Sequence, residues 1–150
     1  MEVPNYSNYK IYRNGDVENI KTKRILKPTI NSCGYKIVSL VNNKKKKNFL
    51  IHRLLGLCYI ENPENKLCVD HINRIRSDNR LKNLRWATYR ENSLNASLRK
   101  DNKLKEKYIF IQKNGYVLDI PYLKISKYFS TKEYDLEYVK IIRDAIIDEI

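Results

Sequence analysis

Apolar and polar residues alternate through the first fifty positions, a period typical of half-buried β-strands. Residues 9–12 lead into Asn14-Gly15, a dipeptide that favours a tight hairpin turn. A second alternating run, residues 34–41, turns at Asn42-Asn43 into four consecutive lysines. The pattern predicts a small β-rich module over residues 1–48.

The hydrophobic period becomes that of a helix at residue 50. Six apolar residues then form a stripe at helical spacing: Leu50, Ile51, Leu54, Leu55, Leu57 and Cys58. The stripe ends before Asn62-Pro63, which predicts the end of the helix. His52 lies on this helix, and we interpret it as a packing or hydrogen-bonding residue rather than a second catalytic group.

A strand, a long polar loop and a second strand follow this helix. The apolar run 67–69 predicts a short strand that delivers Asp70 at its end. The polar residues 73–83 predict the loop, and residues 84–87 predict the second strand. Asn79 lies within the loop, and we interpret it as part of the loop structure.

A capping box predicts the start of the next helix. Thr88 and Glu91 are three residues apart, so the hydroxyl and the carboxylate can accept hydrogen bonds from exposed amides at a helix start. The spacing predicts a helix from Tyr89 to about Ser97. Residues 49–97 form the second predicted module.

The last third of the chain predicts three strands and one amphipathic helix after a linker at residues 98–107. The strands are predicted at 108–111, 116–120 and 123–129, with Asn114-Gly115 at the first turn. Ser130 and Glu133 form a second capping box, which predicts a helix from Thr131. Its predicted apolar face comprises Tyr134, Tyr138, Ile141, Ile142, Ala145 and Ile146. The third module would span residues 108–150, and the fold class is α+β.

Positive charge is concentrated in the first two-thirds of the 150-residue chain. The formal net charge is +13, and residues 1–97 hold 19 Lys and Arg against 8 Asp and Glu. A surface of this kind favours a polyanionic partner, because neutralising phosphates releases counterions. Nucleic acid is therefore the expected partner, and the alternative is a cationic surface that serves solubility alone.

Cysteine usage and hydropathy indicate a soluble intracellular protein. The three cysteines, Cys33, Cys58 and Cys68, are odd in number and widely spaced, which predicts buried or half-buried thiols in a reducing compartment. The most apolar stretch, residues 49–60, contains His52 and Arg53 and is about half the length that spans a bilayer. We expect no membrane association and no secretion.

Four polar residues carry the candidate chemistry. Asp70 and His71 are adjacent, Asn83 follows thirteen residues after Asp70, and Asn92 follows twenty-two residues after it. A carboxylate can hold a hard cation, an imidazole can take a proton from water, and an amide oxygen can complete a set of metal ligands. Taken singly, each residue could instead belong to a turn or a helix cap.

This arrangement resembles the HNN form of the HNH endonuclease family, as found in homing endonucleases of phages and large viruses. The resemblance covers residues 49–96 and includes five runs in order: 51–55, 62–66, 69–73, 79–86 and 91–92. It implies a ββα-metal nuclease core that cuts DNA. A small β-rich, NUMOD4-like module often precedes that core, and residues 9–41 are similar to it.

The resemblance implies a role for each of the four residues. Asp70 and Asn92 would ligate one divalent cation, Mg²⁺ or Mn²⁺, whose other positions go to water and phosphate oxygens. His71 would be the general base that activates water. Asn83 would fix the loop so that His71 points correctly. The C-terminal residues are similar in pattern to AP2-type DNA-binding domains, although most of the arginines and tryptophans of those sheets are missing here.

The sequence predicts a metal-dependent endonuclease that acts on double-stranded DNA, with a monomer favoured. The residues expected to contact DNA are Lys44, Lys45, Lys46, Lys47, Arg74, Arg76, Arg85 and Arg90. Two alternatives stay open: a nuclease-derived DNA-binding protein in which catalysis is irrelevant, and an RNA-binding structural protein that uses its twelve tyrosines for stacking.

Overall fold

The computed structural model describes residues 1–149 and has the predicted α+β architecture. Backbone contacts divide the chain into two compact units, Met1–Asn95 and a second unit that begins at Ala96. The first unit contains both the β-rich region and the candidate active site. The predicted module boundaries at residues 48 and 97 stay predictions.

The first unit consists of small antiparallel sheets packed on one helix. Its strands and helices, in chain order, are β1 (Glu2–Val3), β2 (Tyr6–Ile11), β3 (Val17–Asn19), β4 (Arg24–Ile25), β5 (Thr29–Ile30), β6 (Lys36–Asn42), β7 (Lys45–Leu50), α1 (Ile51–Tyr59), β8 (Cys68–His71), β9 (Leu84–Ala87) and α2 (Tyr89–Asn95). Strands β1–β4 form one sheet, β5–β7 a second, and β8–β9 a hairpin. A 3₁₀ turn, Leu81–Asn83, precedes β9.

The first hairpin is confirmed. Strands β2 and β3 pair with Ile11 opposite Val17, and the connecting turn includes Gly15. Gly15 has a φ of +92°, and a Cβ there would lie 3.2 Å from Cγ2 of Ile51. The turn therefore needs glycine both for its backbone conformation and for the close approach of α1.

The lysine run is only partly a hairpin tip. Asn43 and Lys44 form the turn with φ values of 49° and 61°, and the next three lysines belong to β7. Lys45, Lys46 and Lys47 pair with Asn42, Val41 and Leu40 of β6. Because side chains alternate along a strand, Lys46 points to the opposite face of this sheet from Lys45 and Lys47.

Apolar residues of both the β-rich region and α1 share one core. The fully buried members include Val3, Ile11, Val17, Leu40, Leu54 and Leu55. Burial of apolar surface at about 25 cal/mol per Å² is the main stabilising contribution of such a cluster. The predicted helix stripe was wrong at Leu57, which is exposed because it lies on the side of α1 that carries the exposed Arg53 one turn earlier. Cys33 is also exposed, whereas Cys58 is buried and Cys68 half-buried.

The second unit packs a three-stranded sheet against one helix. Its elements are β10 (Ile109–Gln112), β11 (Gly115–Ile120), β12 (Ile125–Ser130) and α3 (Leu136–Asp148). The strands lie in chain order and pair antiparallel. Ile109, Leu118, Ile120 and Val139 are its most buried residues.

The predicted start of α3 at Thr131 was wrong. Ser130 pairs with Gly115 as the last residue of β12, and the Thr131 amide donates to Asn114 O, so this backbone is held by the sheet. The helix begins five residues later, where the Asp135 side chain accepts a hydrogen bond from the Tyr138 amide at 2.8 Å. The later start also changes the buried face.

The residues of α3 that pack on the core are Leu136, Val139, Ile142, Ile146 and Ile147. Three members of the predicted face, Tyr138, Ile141 and Ala145, are exposed instead. The segment before β10 contributes as well, because Leu104 packs on the same core. Within residues 1–149, no helix combines the length and the apolar character that a bilayer crossing requires.

The core of the first unit buries a histidine of α1. His52 is 5% exposed, and its ring lies 5.0 Å from that of Tyr35, between ring centroids. Burial, with smaller contributions from His71 and Arg53, lowers the pKa of His52 to about 3 from its ordinary value of 6.5. The folded protein therefore keeps His52 neutral at pH values where the unfolded chain protonates it.

We expect the free energy of unfolding of the first unit to fall as the pH is lowered from about 7 to about 5. The folded-state pKa of His52 is depressed, so its contribution is complete above about 6.5 and is lost as the pH falls toward 3. The maximum slope is about 1.4 kcal/mol per pH unit. Urea unfolding of the wild type and of His52→Phe should show a weaker pH dependence in the variant, and equal slopes would contradict the assignment.

Candidate active site

The candidate site is built on a ββα unit. Strands β8 and β9 pair antiparallel, with Asp70 opposite Arg85 and His71 opposite Leu84. Helix α2 follows β9 directly and packs against the hairpin. Asp70 and His71 are therefore placed at the last two positions of β8, as the sequence predicts.

The start of α2 is fixed by the predicted capping box. The Thr88 amide donates to Glu91 Oε2 at 2.6 Å, and the Glu91 amide donates to Thr88 Oγ1 at 3.1 Å. Lys66 adds an ion pair to Glu91 at 3.1 Å. The Thr88 amide, followed by Lys66, lowers the pKa of Glu91 to about 2, so this cap stays ionised at neutral pH.

Asp70 is a buried carboxylate with two side-chain partners. It is 6% exposed, and its Oδ2 accepts from Arg85 Nε at 3.0 Å and pairs with the Arg85 guanidinium at the same distance. Asn95 Nδ2 lies 3.0 Å from each carboxylate oxygen and 2.9 Å from the carbonyl oxygen of His71. One residue of β9 and one of α2 therefore hold the carboxylate in place.

His71 is enclosed by three side chains. Its ring is 4% exposed, and Nε2 lies 2.9 Å from Asn79 Oδ1. The His52 ring lies edge-on at 4.8 Å and the Tyr35 ring at 5.9 Å, between centroids. Interpreting Asn79 as loop structure alone missed its contact with the histidine.

Asn83 organises the loop between the two strands. Its Oδ1 accepts from the Asn73 amide at 3.0 Å, and its Nδ2 donates to Asn73 Oδ1 at 2.9 Å and to the Asp78 carbonyl at 2.7 Å. The Ile72 amide donates to the Asn83 carbonyl at 2.9 Å. These bonds close the loop immediately after His71, and the predicted influence of Asn83 on the direction of His71 stays a prediction.

Two asparagines of α2 have different relations to Asp70. Asn95 contacts the carboxylate through its donor group, while its Oδ1 accepts from Arg74 Nε at 3.2 Å. Asn92 lies one turn earlier on the same helix face, and among residues 1–149 its side-chain amide has no hydrogen-bond partner. Asn92 therefore lies on the helix face that carries Asn95 to Asp70, and its side-chain oxygen accepts no hydrogen bond from a described residue.

The predicted DNA-contacting residues fall into two groups. All four lysines of 44–47 are exposed. Three of the arginines have other contacts: Arg74 with Asn95, Arg76 with the Cys33 carbonyl at 2.8 Å, and Arg85 with Asp70. Arg76 also lies over the Tyr35 ring at 5.3 Å, and Arg90 is half-buried in the first turn of α2.

The donor set near Asp70 suits a hard divalent cation. Within the described chain, no group of three or more His, Cys, Asp or Glu side chains forms a metal cluster. Mg²⁺ does not need one, because it is commonly held by one or two carboxylates together with waters and substrate phosphates. The Asp70 carboxylate and the free Asn92 oxygen fit that requirement.

Sequence reasoning missed four residues of this site: Tyr35, His52, Asn79 and Asn95. Tyr35 and His52 lie far from His71 in sequence, and the contact depends on how the β-rich region packs on α1. Asn95 could have been suggested by its spacing of three residues from Asn92, which places both on one helix face. The Asp70–Arg85 pair could not be predicted either. It depends on which residues of β8 and β9 face each other, and a long connecting loop does not determine that register.

Comparison with known proteins gives consistent matches. A sequence profile described as HNH endonuclease matches residues 50–94. The uncharacterized HNH endonuclease L245 of Acanthamoeba polyphaga mimivirus is 34% identical over 133 residues, which are 89% of this chain and 38% of that protein. The DNA endonuclease I-HmuI of Bacillus phage SP01 is 35% identical over 91 residues, which are 61% of this chain and 52% of that protein.

A solved structure of DNA binding and cleavage by the HNH homing endonuclease I-HmuI resembles this fold. The TM-score is 0.59 at 33% identity, over 63% of this chain and 55% of that one. This chain spans about half or less of the length of the relatives described. Residues 50–94, which include α1, the β8–β9 hairpin and most of α2, are thus similar to HNH endonucleases in both sequence and fold.

Proposed function

We propose that this chain is a metal-dependent DNA endonuclease that hydrolyses phosphodiester bonds. The observation that carries the proposal is the position of His71. His71 is buried and directly follows the buried Asp70 in the chain, at the end of one strand of a ββα unit that matches the HNH endonucleases. A general base and an anionic cation ligand are thereby adjacent on one rigid element.

In the proposed reaction His71 takes a proton from the attacking water. The Asn83 bonds hold the loop that follows His71, so the ring does not have to be ordered when substrate binds. Arg85 and Asn95 orient the Asp70 carboxylate through three donor groups, namely Nε and Nη2 of Arg85 and Nδ2 of Asn95. Positioning of this kind reduces the entropy that must be lost on reaching the transition state.

Asp70 and Asn92 are the residues that would hold the cation, Mg²⁺ or Mn²⁺. Asn95 is the less suitable ligand, because its donor group faces Asp70 and its oxygen accepts from Arg74. When bound, a divalent cation would neutralise charge that develops on the scissile phosphate.

The charge distribution supports double-stranded DNA as the substrate. Residues 1–97 hold 19 Lys and Arg against 8 Asp and Glu, a net +11 of the chain's +13, and the lysines of β7 and its turn are exposed. The curated name of I-HmuI describes a DNA endonuclease, and we extend that substrate to this chain by similarity.

One gel assay tests the proposal. Purified full chain is incubated with supercoiled plasmid in Mg²⁺, in Mn²⁺ and in excess chelator. Nicked or linear product that depends on the cation supports an endonuclease. Retarded but uncut plasmid in both metals would reject it and favour the DNA-binding alternative.

Replacement of His71 by alanine is expected to stop cleavage while DNA affinity changes little. The imidazole acts on water rather than on the phosphate backbone, and loss of a general base lowers rates by roughly 10²–10⁴-fold. Single-turnover nicking and a filter-binding Kd measure the two effects. Asp16→Ala, which changes an exposed residue of the same unit, is the control. A His71→Ala variant that nicks at the wild-type rate would remove His71 from this role.

Metal binding is expected to depend on Asp70 and, more weakly, on Asn92. Asp70→Ala removes the charged ligand, whereas water can partly replace the Asn92 oxygen in Asn92→Ala. Calorimetry with Mn²⁺ alone should show no binding by the first variant and weaker binding by the second. Asp16→Ala, which changes an exposed aspartate of the same unit, is the control. Unchanged Mn²⁺ binding by Asp70→Ala would place the metal elsewhere.

Replacement of Lys44–Lys47 by glutamine should weaken binding to every DNA sequence by a similar factor. Each lost phosphate contact lowers the slope of log Kd against log salt by about 0.9. Because Lys46 lies on the opposite face from Lys45 and Lys47, the single variant Lys46→Gln and the double variant at 45 and 47 should not have equal effects. An unchanged slope in the fourfold variant would exclude this strand from the DNA interface.

A further inference from the structure

Asn79 is a buried polar side chain that contacts the proposed general base. Asn79 is 8% exposed, and its Oδ1 lies 2.9 Å from Nε2 of His71, itself 4% exposed. The Nδ2 atom of Asn79 has no hydrogen-bond partner in the described chain. The contact with His71 is thus the one hydrogen bond that this buried amide makes.

The geometry determines which ring nitrogen of His71 carries the proton. An amide oxygen can only accept, so Nε2 must donate when the imidazole is neutral. The second ring nitrogen, Nδ1, is then unprotonated and keeps its lone pair. A general base needs an unprotonated nitrogen that water can reach. Because Nε2 is occupied by the contact with Asn79, that nitrogen must be Nδ1, which is unprotonated only in this tautomer.

Nδ1 of His71 is the nitrogen left for water. Buried polar atoms without a partner in residues 1–149 include Nδ1 of His52 but not Nδ1 of His71. No described residue hydrogen-bonds His71 Nδ1 either, so this atom reaches solvent. The neighbouring aromatic rings of His52 and Tyr35 contact His71 at centroid distances of 4.8 and 5.9 Å.

The loop holds Asn79 in this position from both sides. Asp78, the residue before it, accepts two hydrogen bonds from Arg80 at 2.8 and 2.6 Å, and its carbonyl accepts from Asn83. The carbonyl of Arg80, the residue after it, accepts from the Asn83 amide at 2.8 Å. Asn83 therefore fixes the backbone that carries Asn79, and Asn79 contacts the histidine.

We propose that Asn79 is a positioning residue that holds His71 in the tautomer with its proton on Nε2, which leaves Nδ1 as the base. The inference rests on the proposed function for its catalytic meaning, but the tautomer itself is independent of catalysis. The competing explanation is that Asn79 only completes the loop, in which case the tautomer would not follow the amide oxygen.

The test combines a spectroscopic and a kinetic measurement on the full chain. The chain has two histidines, so ¹⁵N-labelled protein gives two imidazole spin systems, and His52→Phe assigns them. Long-range ¹H–¹⁵N spectra at about pH 8, above the ordinary histidine pKa, should show His71 protonated at Nε2. In Asn79→Leu, which has similar size and no acceptor, the spectra should show mixed tautomers.

The nicking rate should depend on whether position 79 carries an acceptor oxygen, and not on the loop structure alone. Asn79→Leu is expected to lower the single-turnover nicking rate by about 10–100-fold with unchanged DNA Kd. Asn79→Asp keeps an acceptor oxygen at the same place and should restore the Nε2–H tautomer and part of the rate. Lys82→Ala, which changes an exposed residue of the same loop, is the control and should keep the wild-type tautomer and rate.

Each outcome is decisive. Wild-type His71 protonated at Nδ1, or a tautomer unchanged in Asn79→Leu, overturns the proposal whatever the activity. Loss of rate in Asn79→Leu that Asn79→Asp does not restore at all also overturns it. If the tautomer follows the acceptor as expected but wild-type protein nicks no plasmid in any metal, the tautomer assignment stands and the endonuclease proposal fails.

Discussion

Burial of the Asp70 carboxylate is the constraint on which the site depends. An ionised carboxylate that loses its water must gain charged or hydrogen-bonding partners, since an unpaired buried charge costs several kcal/mol. Arg85 from β9 and Asn95 from α2 supply them. A single anion thus holds a strand pair and a helix in one arrangement, and the adjacent His71 takes its position from the same strand.

The loop between β8 and β9 shows a different means of fixing structure. It contributes little to the apolar core, and polar side chains organise it instead: Asn73, Asp78 and Asn83 bond to one another and to nearby backbone. Hydrogen bonds have directional preferences that apolar contacts lack. A loop built this way can aim a neighbouring side chain, whereas an apolar loop would mainly exclude water.

Local signals predicted the strands and the helix of the site, whereas long-range contacts determined which side chains lie in its interior. Strand β9 and the Thr88–Glu91 cap were predictable because their determinants lie within a few residues. The equivalent spacing at Ser130 failed, because pairing of Ser130 with Gly115 competes for the same backbone. Nothing near His71 in sequence indicates Tyr35, whose contact depends on the packing of the whole first unit.

The Tyr35 contact has a consequence for how such proteins can be recombined. Tyr35 lies in the β-rich region, yet its ring contacts both histidines of the matched segment, residues 50–94. The Arg76 guanidinium lies over the same ring. The wall of the histidine pocket is therefore contributed by a part of the chain outside the matched segment. A chimaera that joined residues 50–94 to a different N-terminal partner would inherit the motif but expose the histidine pair to solvent. Exchange of the β-rich region is thus constrained by a single aromatic side chain.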